Sequence, residues 1–300
     1  MNYAPIALFV YNRLWHTRQT LEALKENELA NSSDLFIFSD GAKNSEAIAA
    51  VEEVRKYIKN VGGFKSVSII ERDENYGLAD SIIEGVTSLC NEFGRVIVIE
   101  DDVVTSPFFL QYMNEALDIY ANDPMVASVH GYWYPIDEDM PETFFLRGAS
   151  CWGWATWSRG WDIFEADGQK LLDEMKIQKL NHTFDLDGAM AYTQMLKDQI
   201  NGKNNSWAIR WHAATFLANK FQLSPGTSLV RNIGFDGSGI NSRESDKYDV
   251  SLATKPIAIE HLIPEQNDKA REALIKYYIK TKVSIYERIK KRLSRLTNNI

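Results

Sequence analysis

Three consecutive acidic residues, Glu100, Asp101 and Asp102, follow directly after the apolar run Val96–Ile99. Neighbouring carboxylates repel one another, so a cation placed between them lowers their free energy. Mg²⁺ and Mn²⁺ prefer oxygen ligands, and one or two carboxylates can hold such an ion while its other positions stay open for water and substrate phosphates. The ion then stabilises negative charge on a leaving diphosphate. The alternative is that the three acids only begin a surface loop before Ser106.

Two arginines and one further acid each follow shortly after an apolar run, as the three acids do. Arg13 and Arg72 carry guanidinium groups, which suit diphosphate oxygens through charge-assisted hydrogen bonds. The alternative for both is a surface salt bridge. Asp40 can accept hydrogen bonds from a base or from ribose hydroxyls, but Asp40 and Gly41 together are also a typical turn sequence. Asn75 belongs to a further predicted turn.

Tryptophan is concentrated in residues 151–161, which hold four of the eight tryptophans. Residues 132–134, Tyr-Trp-Tyr, add a second aromatic group. Aromatic faces stack on the apolar faces of sugar rings, and an indole N–H can bind a hydroxyl. The alternative is that these rings fill the core, and we expect at least half of them to be structural.

The residues around these groups alternate between apolar runs and helical patterns. Apolar runs cover Ile6–Val10, Leu35–Phe38, Val67–Ile70 and Val96–Ile99, and helical patterns follow through Leu24, near Glu46–Asn60, near Ala79–Glu92 and from Ser106. This alternation predicts an α/β fold, with a mainly parallel sheet flanked by helices on both faces. The polar residues are then expected at the carboxyl edge of the sheet, where open parallel sheets bind ligands. After about residue 125 the alternation ends, and we expect the second half to complete the same domain.

The charge is divided unevenly along the chain. The formal net charge is −8, but residues 269–300 carry +8, which leaves −16 for residues 1–268. Nucleic-acid binding needs a basic surface, so the acidic body argues against nucleic acid as the main partner. Cys90 and Cys151 are far apart, which predicts neither a disulfide framework nor a thiolate zinc site and indicates a reducing compartment. The apolar run Ile6–Val10 is too short for a membrane span and lacks the basic start of a secretion signal.

Four motifs within residues 4–130 come in the order and spacing of a known family. They are PIALFVYNR at residues 5–13, FSDG at 38–41, RDENYGL at 72–78 and VIEDD at 98–102. In this order they resemble the nucleotide-binding half of GT-A glycosyltransferases. The Glu-Asp-Asp form is most similar to N-acetylglucosaminyltransferase I and to bacterial family 2-like sugar transferases. The resemblance implies a GT-A fold, which is Rossmann-like, and a nucleotide diphosphate sugar as the donor.

The resemblance also implies roles for single residues. Asp102, the last acid, would be the direct metal ligand, with Glu100 as a weaker one, and Asp101 would lie close to the donor ribose or sugar. Asp40 would bind the nucleoside. The other residues assigned to donor binding are Tyr11, Asn12, Arg13, Arg72, Asn75 and Arg210.

The acceptor side is less regular. Glycosyltransferases of this type carry a Gly-Trp segment there, which assigns acceptor contacts to Trp152 and Trp154. In N-acetylglucosaminyltransferase I a tryptophan-flanked segment carries the acid that deprotonates the acceptor hydroxyl, but the comparable residues 206–211 have Ala and Ile at their centre. Inversion needs a carboxylate within hydrogen-bond reach of the attacking hydroxyl. Asp198 is the nearest acid in the sequence and our candidate base, with a solvated helix face as the alternative.

Two later features match the same family. Residues 232–241 are Gly-rich, as are segments that close over bound donor in GT-A enzymes, and a plain surface loop is the alternative. His261 corresponds to a late histidine that completes the metal site in some relatives of the fold, against a purely structural histidine.

Residues 266–300 are predicted to form a basic amphipathic helix after a domain of residues 1–265, which divides into a donor half, 1–130, and an acceptor half, 131–265. The apolar stripe of this helix comprises Ile279, Val283, Tyr286, Ile289, Leu293 and Leu296. Such a helix suits an anionic membrane surface, which would fit a lipid-linked acceptor. The alternative is packing on the acidic body or on a second subunit.

These features predict a cytoplasmic enzyme, or one peripheral on the inner face of the plasma membrane. With Mn²⁺ or Mg²⁺ it would transfer a hexosyl or N-acetylhexosaminyl group, with inversion, from a UDP-sugar to a surface glycan such as lipopolysaccharide, O-antigen or capsule. The glycan and the inversion follow from the resemblance alone. One alternative is a sugar-1-phosphate nucleotidylyltransferase, although residues 11–15 lack the glycines of its phosphate loop. Another is a non-catalytic glycan-binding protein, which would leave the acids without a role.

Overall fold

The computed structural model describes residues 3–237 and 245–297, with side chains described as far as residue 282. The strands of this part are β1 (Ile6–Val10), β2 (Asp34–Ser39), β3 (Ser66–Glu71), β4 (Arg95–Glu100), β5 (Val103–Thr105), β6 (Val126–His130), β7 (Thr143–Arg147), β8 (Trp154–Trp157), β9 (Phe221–Pro225) and β10 (Val230–Asn232).

Helices occupy the connections between the strands. They are α1 (Leu14–Lys25), α2 (Ile48–Ile58), α3 (Gly77–Phe93), α4 (Phe109–Ile119), α5 (Ser158–Trp161), α6 (Gly168–Ile177), α7 (Asn181–Phe184), α8 (Tyr192–Ile200), α9 (Trp207–Leu217) and α10 (Asp268–Thr297). Short 3₁₀ turns cover Ala30–Ser32 and Ser45–Ala47.

Eight strands form one sheet in the order β3-β2-β1-β4-β8-β6-β9-β7. β3, β2, β1 and β4 are parallel to one another, in agreement with the four predicted strand–helix units. β8 is antiparallel to both β4 and β6, β9 is parallel to β6, and β7 is antiparallel to β9. The prediction of an α/β fold with a mostly parallel sheet flanked by helices is confirmed. Residues 131–265 contribute β7, β8 and β9, so both predicted halves share this sheet.

The first strand shows why the early strands are apolar throughout. Ile6, Leu8 and Val10 belong to a core on one face of the sheet, whereas Ala7 and Phe9 belong to a second core on the other face. Successive side chains of a strand point to opposite faces, so a strand that is covered on both sides has no solvent-facing position. The polar groups are therefore confined to the strand ends.

Four tryptophans form one buried group in the second of these cores. The ring of Trp154, at the start of β8, stacks on Trp207 of α9 with the centroids 5.4 Å apart, and lies 5.8 and 5.9 Å from Trp161 and Trp211. Trp154 is fully buried. The prediction that Trp154 binds an acceptor is therefore wrong, because its ring fills the core between the sheet and the helices α5 and α9.

The first turns of α10 pack on the body. Leu274 and Tyr278 are buried in one cluster with Trp133 and Phe144, as the packing alternative predicts for the start of this helix. Of the predicted apolar stripe, Ile279 is 51% exposed, and the members from residue 283 onward lie outside the described side chains. Among the residues described, no helix has both the length and the hydrophobicity that a membrane span requires.

Replacing Trp154 by alanine is expected to lower the free energy of unfolding by about 3–5 kcal/mol, the usual effect of removing a large aromatic side chain from a packed core. Urea unfolding followed by circular dichroism measures this loss. Trp15→Ala is the matched control, because Trp15 is 58% exposed, and it should change the free energy by less than about 0.5 kcal/mol. Equal effects at the two positions would contradict the core assignment.

Candidate active site

The three predicted acids lie together at the carboxyl end of β4, beside the end of β1. Arg13 reaches across to them from the loop after β1. Its Nη2 donates to Asp101 Oδ1 and, at 2.8 Å, to Asp102 Oδ2, and its Nε donates to Asp101 Oδ2 at 3.2 Å. The Thr20 hydroxyl of α1 donates to the Asp101 carbonyl at 2.8 Å and fixes the backbone there. We call Glu100, Asp101 and Asp102 the acid cluster.

One guanidinium faces three acids, and the pKa values of Glu100 and Asp101 show that it does not compensate all of their negative charge. Burial and the charges of Asp102 and Asp101 raise the pKa of Glu100 to about 8. Burial also raises the pKa of Asp101 to about 6, although Arg13 opposes this shift. Burial disfavours the Arg13 charge too, but Asp101 and Asp102 raise the pKa of Arg13 above its ordinary value. The acid cluster keeps excess negative charge in a poorly solvated place.

A divalent cation that prefers oxygen ligands fits this excess charge. In the described part of the chain, no three or more His, Cys, Asp or Glu residues are grouped so that they could enclose a metal ion. Mg²⁺ and Mn²⁺ do not need such a cage, because they commonly bind through one or two carboxylates and take phosphate and water as further ligands. Glu100 and Asp102 can supply those carboxylates. The acid cluster therefore fits a metal ion whose remaining coordination positions are filled by substrate and water.

A second chain segment covers Asp102. β10 pairs antiparallel with β5, with Asn232 opposite Val103, and the Ile233 N–H donates to the Asp102 carbonyl at 2.8 Å. The Gly234 backbone lies so close that a Cβ at this position would come within 2.1 Å of Asp102 Oδ2. This contact was not predictable from the sequence, because nothing in the Gly-rich segment marks it as a neighbour of an acid in the first half of the chain.

Tyr11 and Asn12 complete the loop between β1 and Arg13, and both are half-buried. The Tyr11 hydroxyl accepts a hydrogen bond from the Lys43 backbone N–H at 3.0 Å, which joins the loops after β1 and β2. The structure therefore brings these two residues to the edge that carries the acid cluster. Their contact with a donor stays a prediction.

Asp40 has a structural role. Its carboxylate accepts hydrogen bonds from the backbone N–H groups of Gly41, Tyr76 and Gly77 at 3.0, 2.9 and 2.9 Å, and from the Asn75 side-chain amide at 2.9 Å. These bonds take up the acceptor capacity of a carboxylate and tie the loop after β2 to the start of α3. They match the turn alternative for Asp40 and Asn75, and contact of either residue with a nucleotide stays a prediction.

Arg72 is buried, and its guanidinium faces α3. It donates to the Ser81 hydroxyl and, at 3.0 Å, to Glu84 Oε2, and it lies 4.3 Å from the centroid of the Tyr76 ring. Arg55 of α2 donates to the Arg72 carbonyl at 2.6 Å. The sequence did not single out Arg55, since an arginine in a helical pattern is usually solvent-exposed. Both arginines stabilise the loops at this edge, and diphosphate binding by Arg72 stays a prediction.

The contacts of Asp198 match the solvated-helix alternative. It lies on α8, which packs against α6, α7 and α9. Its carboxylate accepts hydrogen bonds from Lys203 Nζ and Gln194 Nε2, each at 3.0 Å, and these bonds lower its pKa. A pKa lowered in this way weakens a general base, whose ideal pKa lies near the working pH. The partners of Asp198 come from its own helix and the turn that follows, and its role as the base stays a prediction.

Arg210, in the first turn of α9, is buried among backbone groups. It donates to the carbonyls of Ser206 and Ala166 at 3.2 Å each and to Asn205 Oδ1 at 3.3 Å. Burial lowers its pKa. These bonds fix the start of α9, and contact of Arg210 with a diphosphate stays a prediction.

Trp152 remains a candidate for acceptor binding. It lies just before β8, whose first residue Trp154 pairs with Val98 near the carboxyl end of β4. The Trp152 ring is half-buried and meets the rings of Tyr132 and Tyr248 edge-on, with centroids 4.8 and 5.2 Å away. Part of this ring is therefore accessible at the edge that carries the acid cluster.

His261 is wrongly predicted as a metal ligand. Its ring stacks on Tyr120 at the end of α4, with the centroids 5.4 Å apart. This end of α4 lies beside the start of β4, where Arg95 pairs with Asp118. The acid cluster stands at the other end of β4, so His261 lies at the opposite edge of the sheet. Of the predicted donor lid, residues 238–241 lie outside the described part of the chain.

No family model matches the sequence, and no curated protein matches it. The solved mannosyltransferase PcManGT from Pyrobaculum calidifontis, in complex with GDP-Man and Mn²⁺, is 15% identical over 44% of this chain and 37% of its own, with a TM-score of 0.34. S. aureus TarS 1-349 is 9% identical over 52% of this chain and 47% of its own, with a TM-score of 0.34. The complex of TarS 1-349 with UDP-GlcNAc is 13% identical over 46% of this chain and 38% of its own, with a TM-score of 0.31. The chain spans less than half the length of each of these proteins, and no residue role follows from the likeness.

Removing the Glu100 charge is expected to stabilise the metal-free protein. The pKa of about 8 lies above the ordinary value of 4.5, so the unfolded state releases this proton first and stability falls as the pH rises from 4.5 to about 8. Glu100→Gln should therefore melt a few degrees higher than wild type at about pH 9. At about pH 4 Glu100 is largely protonated in both the folded and the unfolded wild type, so the two proteins should have similar melting temperatures. Thermal unfolding in the presence of a chelator measures the difference.

Glu71→Gln is the matched control for this measurement. Glu71 ends β3 and lies 3.0 Å from Lys59 Nζ, so its negative charge is compensated. The control should gain no stability at alkaline pH. If Glu100→Gln melted below wild type at both pH values, the acid cluster would carry no excess charge.

Gly234→Ala is expected to displace the Asp102 carboxylate, because the new Cβ would lie 2.1 Å from Oδ2. Mn²⁺ affinity, measured by electron paramagnetic resonance without substrate, should fall about tenfold, which corresponds to about 1.4 kcal/mol. Gly62→Ala is the control, since a Cβ there meets nothing within 4 Å. A folded Gly234→Ala protein with wild-type Mn²⁺ affinity would rule out a metal role for Asp102 at this contact.

Proposed function

We propose that this chain is a glycosyltransferase that takes a sugar from a nucleotide diphosphate donor with the help of Mn²⁺ or Mg²⁺. The observation that carries the proposal is the acid cluster, in which three partly or fully buried carboxylates face the single guanidinium of Arg13. It lies at the carboxyl edge of the parallel strands, which is the edge where such sheets bind ligands.

A bound ion would act as a Lewis acid and stabilise the charge of the leaving diphosphate. Asp102 and Glu100 are the residues that would hold it. Arg13 orients the carboxylates of Asp101 and Asp102, and a guanidinium at this position is suited to bind diphosphate oxygens. The backbone segment at Gly234 covers one side of Asp102, which reduces the access of water to the reacting groups.

The finer assignments rest on the motif resemblance. We propose a UDP-sugar as donor, a hexosyl or N-acetylhexosaminyl group as the transferred unit, and a growing surface glycan such as lipopolysaccharide, O-antigen or capsule as acceptor. Trp152 is the proposed acceptor contact. We propose inversion at the anomeric carbon with Asp198 as the candidate base, and same-face attack with retention is the alternative. Anomeric proton couplings of the product distinguish the two courses.

The charge of the last helix bears on where in the cell the protein works. Residues 269–300 carry a net charge of +8, and the buried contacts of α10 with the body come from its first turns, where Ala270, Leu274 and Tyr278 lie. We propose that the protein works in the cytoplasm, with this basic part on an anionic inner membrane surface that presents a lipid-linked acceptor. Contact with a second subunit is the alternative.

The substitution Asp102→Asn tests the metal site while keeping the shape of the side chain. A ligand that binds the folded protein raises its melting temperature, so wild type should melt higher with a UDP-sugar and Mn²⁺ than with the UDP-sugar alone. Asp102→Asn should lose the Mn²⁺-dependent part of this rise, with nucleotide affinity at least about tenfold weaker. Thermal-shift titrations with several nucleotide diphosphates measure both effects.

Asp118→Asn is the matched control, because Asp118 pairs with Arg95 at the far end of β4, and it should keep the full rise. A full Mn²⁺-dependent rise in Asp102→Asn would contradict the proposed metal site. Mn²⁺-dependent release of UDP from a UDP-sugar distinguishes an enzyme from a glycan-binding protein. Release of pyrophosphate from a nucleoside triphosphate and a sugar phosphate would instead identify a nucleotidylyltransferase.

A further inference from the structure

β3 is one of the two edge strands of the sheet, and in the part of the chain that the structure describes it pairs with β2 alone. The outer side of an edge strand presents backbone N–H and C=O groups to any further strand. The Arg72 N–H, directly after β3, donates to the Ser39 carbonyl of β2 at 3.0 Å. Because the N–H groups of successive strand residues point to opposite sides, those of Val67 and Ile69 point away from β2.

The chain covers its other edge strand, β7, with its own backbone. Gln266 forms a parallel bridge with Phe145 of β7, and the Asn267 N–H donates to the Phe145 carbonyl at 2.8 Å, just before α10 begins. No such bridge to β3 occurs among the described residues. β3 also lacks the proline, the inward lysine and the bulge that commonly protect an edge, since it is SVSIIE in regular register with β2.

Three apolar side chains of β3 are only half-buried. Val67 and Ile69 pack against the core on one face of the sheet, and Ile70 packs against the core on the other face. In β1, which has a strand on both sides, no residue is more than 4% exposed. A further strand beside β3 would remove apolar surface of these three side chains from water, which favours its addition.

The sequence of β3 is complementary to itself in an antiparallel pairing. When Ser68 lies opposite the same residue of a second copy, Val67 of each copy lies opposite Ile69 of the other. The outward backbone groups of these two residues then meet and can exchange both hydrogen bonds. The next pair on the same face places Lys65 opposite Glu71 at each end, and opposite charges directly across two strands stabilise the pairing.

Both charged residues have partners within the single chain. Lys65 Nζ lies 2.7 Å from Asp34 Oδ2, and Lys59 Nζ lies 3.0 Å from Glu71 Oε1. The two lysine side chains are 53 and 57% exposed, and exposed ion pairs contribute little to stability. The side chains of Lys65 and Glu71 can therefore turn to a partner strand at small cost. Their charges favour one register among those that the outward backbone groups permit.

We propose that two copies of this chain associate through β3, in antiparallel pairing, and continue the sheet across a two-fold axis at Ser68. A contact between identical surfaces closes on itself, so it gives a dimer and not a filament. Two short strands bury less surface than a standard interface, so we expect a dissociation constant on the order of 10 μM. The acid cluster at the end of β4 is separated from β3 by β2 and β1, so the dimer does not depend on the proposed transferase activity.

Sedimentation velocity of the full chain, over concentrations from about 1 to about 300 μM, tests the proposal, because dimer formation follows mass action. The wild type should pass from monomer to dimer in this range. Val67→Pro removes an outward N–H but no hydrogen bond to β2, so it should weaken dimerisation at least about tenfold. Val67→Thr is the matched control, since it keeps the N–H and the β-branched shape, and it should stay within about threefold of wild type.

Reversal of the two charges tests the register. Lys65→Glu or Glu71→Lys alone places like charges opposite each other at both ends and should weaken the dimer about tenfold. The double variant Lys65→Glu/Glu71→Lys restores opposite charges and should recover the wild-type affinity. Lys176→Glu is the matched control, because Lys176 is also 53% exposed and pairs with an acid, Asp173, but lies on α6. It should leave dimerisation unchanged.

A wild type that remained monomeric at about 300 μM would overturn the proposal, because the expected dissociation constant lies far below this concentration. A dimer that survived Val67→Pro or either single charge reversal would have its interface elsewhere on the chain and would overturn it as well. So would a double variant that dimerises no better than the single ones. The charge reversals lie on exposed side chains, so they decide even if Val67→Pro does not fold.

Discussion

The structure around the candidate active site depends on one electrostatic constraint: three neighbouring carboxylates at the end of β4 are compensated by one guanidinium. Arg13 holds two of them, and burial together with the other two acids raises the pKa of Glu100 to about 8, so ionising all three acids is unfavourable. Such an arrangement lowers the stability of the protein alone and favours the binding of a cation. Strongly shifted pKa values of this kind are typical of functional sites.

The loops that carry this site are fixed by hydrogen bonds from buried polar side chains. The Asp40 carboxylate accepts four hydrogen bonds from two loops, and Arg55 of α2 donates a hydrogen bond to the carbonyl of Arg72. Thr20 holds the backbone of Asp101. These side chains contribute to the site without touching a substrate, because a pair of carboxylates binds an ion well only when its backbone is held in place. Several residues that resemble a family's donor contacts therefore act here on neighbouring loops.

The second half of the chain divides its aromatic residues between two cores. Trp154, Trp161, Trp207 and Trp211 fill one core, between the sheet and the helices α5 and α9. Trp133, Phe144 and Tyr278 belong to a second core, which the first turns of α10 cover.

The sequence by itself determined the first four strands, their parallel direction and the position of the acids at their ends. Each strand is a local apolar run, and its polar end follows at once, as at Ile6–Val10 and Arg13. It did not determine the roles of Trp154, Asp198 and His261, which depend on contacts with residues distant in the chain. It also gave no sign that Gly234 covers Asp102. Composition and local spacing report what a side chain can do, but only the packed structure decides whether that side chain is buried, paired or placed beside the acids.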